Sequence, residues 1–199
     1  MMCMTPPKFS RIPTTLPGAL LIEPRVFGDE RGFFLESYTR RDMAALGIPE
    51  EFVQDNHSRS AKGVLRGLHF QYPFAQSKLV RVARGAIYDV IVDLRRGSPT
   101  FGRHESFLLS EENHRLLYVP VGFAHGFLAL SEGTEILYKA GEYYHPEADA
   151  GIRWNDPDLA IPWPVSEHGI AAPLLSDKDA RLPLFSEIES PFLSQEASR

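Results

Sequence analysis

With 199 residues, 43% hydrophobic and 24% charged, the chain has the make-up of an ordinary globular domain, which excludes collagen-like and disordered classes. Its 26 acidic and 21 basic residues leave a net charge of -5, which argues against a nucleic-acid-binding surface, where a basic excess is the rule. One cysteine, Cys3, excludes an internal disulfide and a thiolate metal cluster and fits a reduced, cytoplasmic setting.

No apolar run approaches the roughly 18–20 residues that span a bilayer, and the proline-rich start lacks the apolar segment of an export signal. No membrane partner is expected. The 16 prolines and 15 glycines are spread along the chain as punctuation between short elements. Residues 1–16 read as a loose tail. Residues 19–26 and 32–38 have strand character and flank a charged turn, Gly28-Asp29-Glu30-Arg31. Thr39 is placed to cap a short helix over 40–46, which Gly47 stops. Further strands are predicted at 64–70, 78–83, 86–94, 104–109, 115–119, 125–130 and 134–138, with Gly85 as a turn and a short helical turn at 110–114. Runs recurring about every 8–15 residues point to a sandwich or barrel. No βαβ alternation or internal repeat is visible, so the expected class is all-β.

After Tyr144 the texture changes to proline, aspartate and tryptophan, as in IRWNDPDLAIPWP. This stretch is too poor in periodic apolar positions to form a second domain. It is expected to wrap over the β core, with about 190–199 loose, so that residues 1–199 form one domain.

Three segments are richer in functional groups than strands require. In Gly63-Val-Leu-Arg-Gly-Leu-His-Phe-Gln71, which follows Gln54-Asp55-Asn56-His57-Ser58, Arg66 and His69 are three apart. That spacing puts two strand side chains on opposite faces, unless Gly67 marks a bulge that turns both into one cavity. The bland alternative is a surface arginine and a satisfied core histidine. In the second segment, Pro120-x-Gly122 makes a tight turn that returns the chain so that His125 starts the next strand at a barrel mouth. Pro-x-Gly-x-x-His resembles the second half of the cupin pattern, a jelly-roll barrel that often holds a metal. The first half supplies His-x-His and then glutamate; here Gln71 replaces the second histidine, and no glutamate follows at 74–77. A metal site needs three or four good donors, so the set is two short and no metal is expected. In the third segment, Tyr138 and Tyr144 are six apart and share a face if the strand continues, either as core aromatics or as proton donors.

Taken together and in order, DERGFFLESY, QDNHS, GVLRGLHFQ, KLVRVARGAIYDVIVDLRRGSPTFG, VPVGFAHGF, NDPDLAIPWP and LSDKD resemble the dTDP-4-dehydrorhamnose 3,5-epimerase family over residues 17–183. The resemblance implies a cupin-type jelly roll with one or two short helices and a wrapping C-terminal extension. It also implies inversion at C3 and C5 of a dTDP-linked 4-keto-6-deoxyhexose. No cofactor is needed, because the ketone acidifies both neighbouring carbons. His69 matches the base and Asp179 its partner, with Asp177 a competitor. Tyr138 matches the acid and Lys78 the enolate-stabilising lysine. Arg31 and Arg66 match diphosphate positions, and Gln54, Asp55 and Asn56 nucleotide positions. Glu36, His125, Tyr144 and Lys178 match further substrate-binding positions, and Asp149 stands where the family has glutamate. The resemblance also implies a homodimer in which the first strands are exchanged; residues 19–26 fit such an edge strand, and an arginine from the second subunit completes the nucleotide site. The competing readings are a single-carbon epimerase, a metal-dependent cupin oxygenase, and a silent sugar-nucleotide-binding module.

Overall fold

The computed structural model describes residues 7–194; Cys3 lies outside them. Strands β1 (Phe9–Ile12) and β2 (Leu20–Pro24) open the chain and are followed by a hairpin of β3 (Val26–Asp29) and β4 (Gly32–Leu35). Helix α1 (Arg40–Ala45) comes next, capped as expected by Thr39, whose side chain accepts from the Asp42 amide. Gly47 ends it at φ +87°, in the left-handed region that glycine enters without a Cβ penalty. Then come β5 (Gln54–Ser60), β6 (Leu65–Gln71), β7 (Lys78–Arg84), β8 (Ala86–Asp93), β9 (His104–Ser110), β10 (Leu116–Val119), β11 (Phe123–Ala129) and β12 (Thr134–Ala140). Short β13 (Asp149–Gly151) and helix α2 (Asp177–Ala180) belong to the extension.

Two sheets face each other. One runs β1-β2-β10-β7-β12-β5 and the other β13-β6-β11-β8-β9, with antiparallel ladders throughout. Alternation along each strand sends one set of side chains between the sheets. Val80 and Val82 of β7, Ile87 and Ile91 of β8, and Ile136 of β12 form that inner core. The other face of the five-stranded sheet is covered as well: Val90 and Val92 pack with Leu159, Trp163 and Phe192 of the extension. Burial on both faces explains why β8 reads as an almost unbroken apolar run. Helix α1 covers the outer face of the six-stranded sheet, where Met43 packs with Ile22, Leu79 and Leu116. Among the described residues no helix is long and apolar enough to cross a membrane.

Several sequence expectations need correction. Residues 9–12 are not loose but pair with β2, and Phe9 is buried against the α1 cluster. Residues 190–194 are also held: Ser190 and Phe192 are buried, and the Ser190 hydroxyl donates to the Leu94 carbonyl. The 19–26 run is broken after Pro24, so β2 pairs within the chain with β10 while β3, among the described residues, pairs only with β4. Within the stretch expected to be exchanged, residues 20–24 therefore already have partners. Residues 110–114, by contrast, do make a single turn closed by the His114 amide on the Ser110 carbonyl at 3.1 Å, with the Asn113 side chain accepting from the Ser110 and Arg115 amides. Strand β5 was not foreseen, because its two faces alternate one polar set with another and carry no apolar period.

Candidate active site

The inner core stops short of one end of the sandwich, where a cavity of about 480 Å³ remains. That size suits a sugar-sized ligand. His125 of β11 lies opposite His69 of β6, but Phe127 lies opposite Arg66, so two steps on β11 match three on β6. The extra residue is the bulge expected at Gly67. Gly67 has φ +119°, and a Cβ there would stand 2.6 Å from the Gly126 Cα and 2.8 Å from the His125 carbonyl oxygen. Only glycine fits. The bulge turns Arg66 and His69 into the same cavity.

His69 Nε2 donates to Asp179 Oδ1 at 2.5 Å, which leaves Nδ1 as the proton-accepting nitrogen. Asp179 is brought in by α2, whose cap Ser176 accepts from the Asp179 amide at 3.0 Å. Burial raises the Asp179 carboxyl, but the His69 hydrogen bond and charge and the Ser176 bond outweigh it, so it lies below the usual carboxylate range. Asp177, on the same turn, is exposed, and this separates the two candidates: Asp179 is the partner.

The opposite wall belongs to the other sheet. Tyr138 projects inward from β12, and Lys78 begins the neighbouring β7. Burial raises the Tyr138 phenol above its ordinary value, with Arg66 opposing and Asp149 reinforcing the shift, so it stays protonated at neutral pH. Burial lowers the Lys78 ammonium, and the carboxylates of Asp149 and Asp89 pull it back up. His125 Nε2 meets Asp89 Oδ1 at 2.7 Å. Asp89 is fully buried, and its second oxygen has no hydrogen-bond partner among the described residues. Asp89 went unnamed in the sequence reading, although a lone carboxylate between Ile87 and Ile91 of an apolar run was a usable signal.

At the mouth, Asp149 Oδ2 accepts from the Tyr144 hydroxyl at 2.9 Å and from Lys178 Nζ. The shorter aspartate arm therefore still reaches Lys178. Gln54 and Asn56 lie on the same face of the sheet as Tyr138, joined by a 3.0 Å bond between their side chains. Three candidates lie elsewhere. Asp55 is on the opposite face of β5, paired with Lys139 at 2.8 Å. Glu36 pairs with Lys8 at 2.6 Å. Arg31 sits at the tip of the β3–β4 hairpin, paired with Asp29, its side chain 85% exposed.

An imidazole on one sheet, paired with a carboxylate from α2, faces a phenol and an ammonium on the other sheet, across a cavity that the Arg66 guanidinium also lines. Such an arrangement is chemically equipped for acid–base isomerisation, on a sandwich of the cupin jelly-roll type. The family model described as dTDP-4-dehydrorhamnose 3,5-epimerase matches residues 13–187, and the chain belongs to that family. It is 55% identical over 175 residues to the dTDP-4-dehydrorhamnose 3,5-epimerase of Pseudomonas aeruginosa, covering 87% of this chain and 94% of that one. The Bacillus anthracis enzyme of the same name, solved with TDP and PPi bound, superposes with a TM-score of 0.84 at 54% identity, covering 89% and 99% of the two chains. The dTDP-6-deoxy-D-glucose-3,5-epimerase of Legionella pneumophila, in complex with dTDP-4-keto-L-rhamnose, does so with a TM-score of 0.89 at 47% identity, covering 94% and 99%.

Proposed function

We propose that this chain converts dTDP-4-dehydro-6-deoxy-D-glucose to dTDP-4-dehydro-L-rhamnose by inverting C3 and C5 in turn. The observation that carries this reading is the placement of His69 and Tyr138 on opposite sheets, so that a ring held between them shows one face to each. The C4 ketone makes both neighbouring C–H bonds acidic. His69 Nδ1 takes the proton from one face, the electrons pass into an enolate, and the Tyr138 hydroxyl returns a proton from the other face. Asp179 stabilises the imidazolium, and the Lys78 ammonium offsets charge on the enolate oxygen. The two groups regain their starting protonation through water.

Arg66 is the diphosphate contact. Its Nε donates to Ser60 Oγ at 3.3 Å, and it has no carboxylate partner among the described residues, so the outer nitrogens remain for phosphate oxygens. Arg66→Ala is expected to weaken dTDP binding by about 1.5–3 kcal/mol in calorimetric titration. An unchanged dissociation constant would remove Arg66 from that role.

The assembly we propose is a homodimer formed through the β3–β4 hairpin. Phe27, Phe33 and Phe34 are 49%, 64% and 65% exposed there, a costly apolar surface to leave in water. Arg31 on the same hairpin, far from its own cavity, is the arginine to complete a partner's site. We read residues 1–199 as one domain, since the extension shares its apolar cluster with the five-stranded sheet. A cytoplasmic setting agrees with the single cysteine.

The test of the reaction is turnover in D2O with the sugar product examined by NMR. Deuterium at both C3 and C5 is the expected result. Hydrogen retained at either carbon would favour a single-carbon epimerase, and retention at both would overturn the reading.

A further inference from the structure

Gln71 stands where a metal-holding cupin has its second histidine, and the catalytic constellation makes no use of it. The residue is 5% exposed, and both the donor and the acceptor of its amide are occupied by backbone. Nε2 donates to the Phe74 carbonyl and, at 2.9 Å, to the Tyr143 carbonyl; Oε1 accepts from the His145 amide at 2.8 Å. One amide thus joins two loops that are distant in sequence. Two donors and an acceptor in that arrangement are available only from an amide: a carboxylate lacks the donors, and an imidazole has one nitrogen too few.

The clamped loops connect to the cavity through Lys178, which lines it and is held by Asp149, the acceptor of the Tyr144 hydroxyl. Phe74 holds φ +63°, a conformation that side-chain-bearing residues rarely adopt, and its ring stacks on His145 at 4.1 Å. Tyr144 lies between the two clamped residues of the second loop. Its amide donates to Gln54 Oε1 at 2.9 Å, and its hydroxyl donates to Asp149 Oδ2, which also holds Lys178. Gln71 is paired with Asp149 in the β6–β13 ladder, so the clamp and the carboxylate it serves share one register.

We propose that Gln71 is a positioning residue: its buried amide locks the 72–74 and 143–145 loops together, and so sets Tyr144 and the Tyr144–Asp149–Lys178 chain at the height that receives the nucleotide end of the substrate. This rests on the epimerase reading for the identity of that ligand. The bonds of the Gln71 amide run to the backbone of Phe74, Tyr143 and His145 and to none of His69, Asp179, Tyr138 or Lys78, so the clamp acts on binding and leaves the proton transfers alone.

The test uses dTDP as the probe. Gln71→Met, similar in length and unable to form these bonds, is expected to weaken dTDP binding about tenfold and to raise KM correspondingly. Its kcat should stay within about threefold of the parent. In a Tyr144→Ala background the same substitution is expected to cost less than about threefold, because the residue it positions is gone. Tenfold losses in both backgrounds, or a fall in kcat with KM unchanged, would overturn the proposal. Hydrogen exchange on the unsubstituted protein tests it with no variant at all: the His145 amide should be protected, and free exchange there would contradict the clamp. Failure of the unsubstituted protein to bind dTDP would instead strike at the epimerase reading, and at this proposal with it.

Discussion

His69→Ala is expected to lower kcat by about 10²–10⁴, the usual share of a positioned general base, while dTDP still binds. The loss falls on the chemical step because, in the proposed mechanism, the imidazole is the one group that removes a proton from carbon. Binding survives because Arg66, Lys178 and Tyr144 are held by elements other than the His69 side chain. Asp179 makes the base effective: its carboxyl sits below the usual carboxylate range, so it stays ionised through the neutral region and favours the imidazolium. A depressed carboxyl also contributes stability above the unfolded value of about 3.9, and that contribution disappears as pH falls through the lower folded value. Steady-state kinetics with calorimetric titration of dTDP decides the matter. Turnover near that of the parent would take the base role away from His69.

Lys78→Met should give a much slower but sturdier protein. Removing a donor aimed at developing oxyanion charge costs about 10²–10³ in kcat. The same ammonium is a burden in the resting fold, because burial holds it below the ordinary lysine range. Between the lowered folded value and the unfolded value of about 10.4, the unfolded chain binds more protons than the folded one. Stability of the parent therefore rises with pH in that window, while activity falls as Lys78 loses the charge the enolate needs. The two curves run in opposite directions. A methionine of similar length should remove both slopes and raise the Tm, since an ammonium disfavoured by burial is replaced by an apolar side chain. Thermal unfolding and the alkaline limb of kcat read this directly. A lower Tm, or an alkaline limb that survives the substitution, would show that Lys78 is not the group described.

Much of this was legible in the amino-acid order. Two polar residues three apart in an otherwise apolar strand left two readings open, opposite faces or a bulge at Gly67, and the register shift of β6 against β11 decides for the bulge. The apolar period gave the inner strands, and the Thr39 and Gly47 signals bounded α1 to within a residue. What stayed hidden has a common physical cause. Strand β5 and the pairing of β1 are fixed by neighbours far along the chain, and neither carries an apolar alternation of its own. Asp179 could not be told from Asp177 without the turn of α2 that buries one and exposes the other. Arg31, Glu36 and Asp55 match their motifs, yet in the folded chain they lie on a hairpin tip, beside Lys8, and on an outward-facing sheet surface. Sequence position alone does not say which side of a strand, or which subunit, a matched residue will serve.

The most direct measurement is a crystal structure of this protein with dTDP-4-keto-L-rhamnose bound. The sugar ring should lie between the sheets, with His69 Nδ1 on one face and the Tyr138 hydroxyl on the other, each about 3–3.5 Å from C3 or C5. Finding both side chains against the same face, or either one beyond contact with those carbons, would contradict the account.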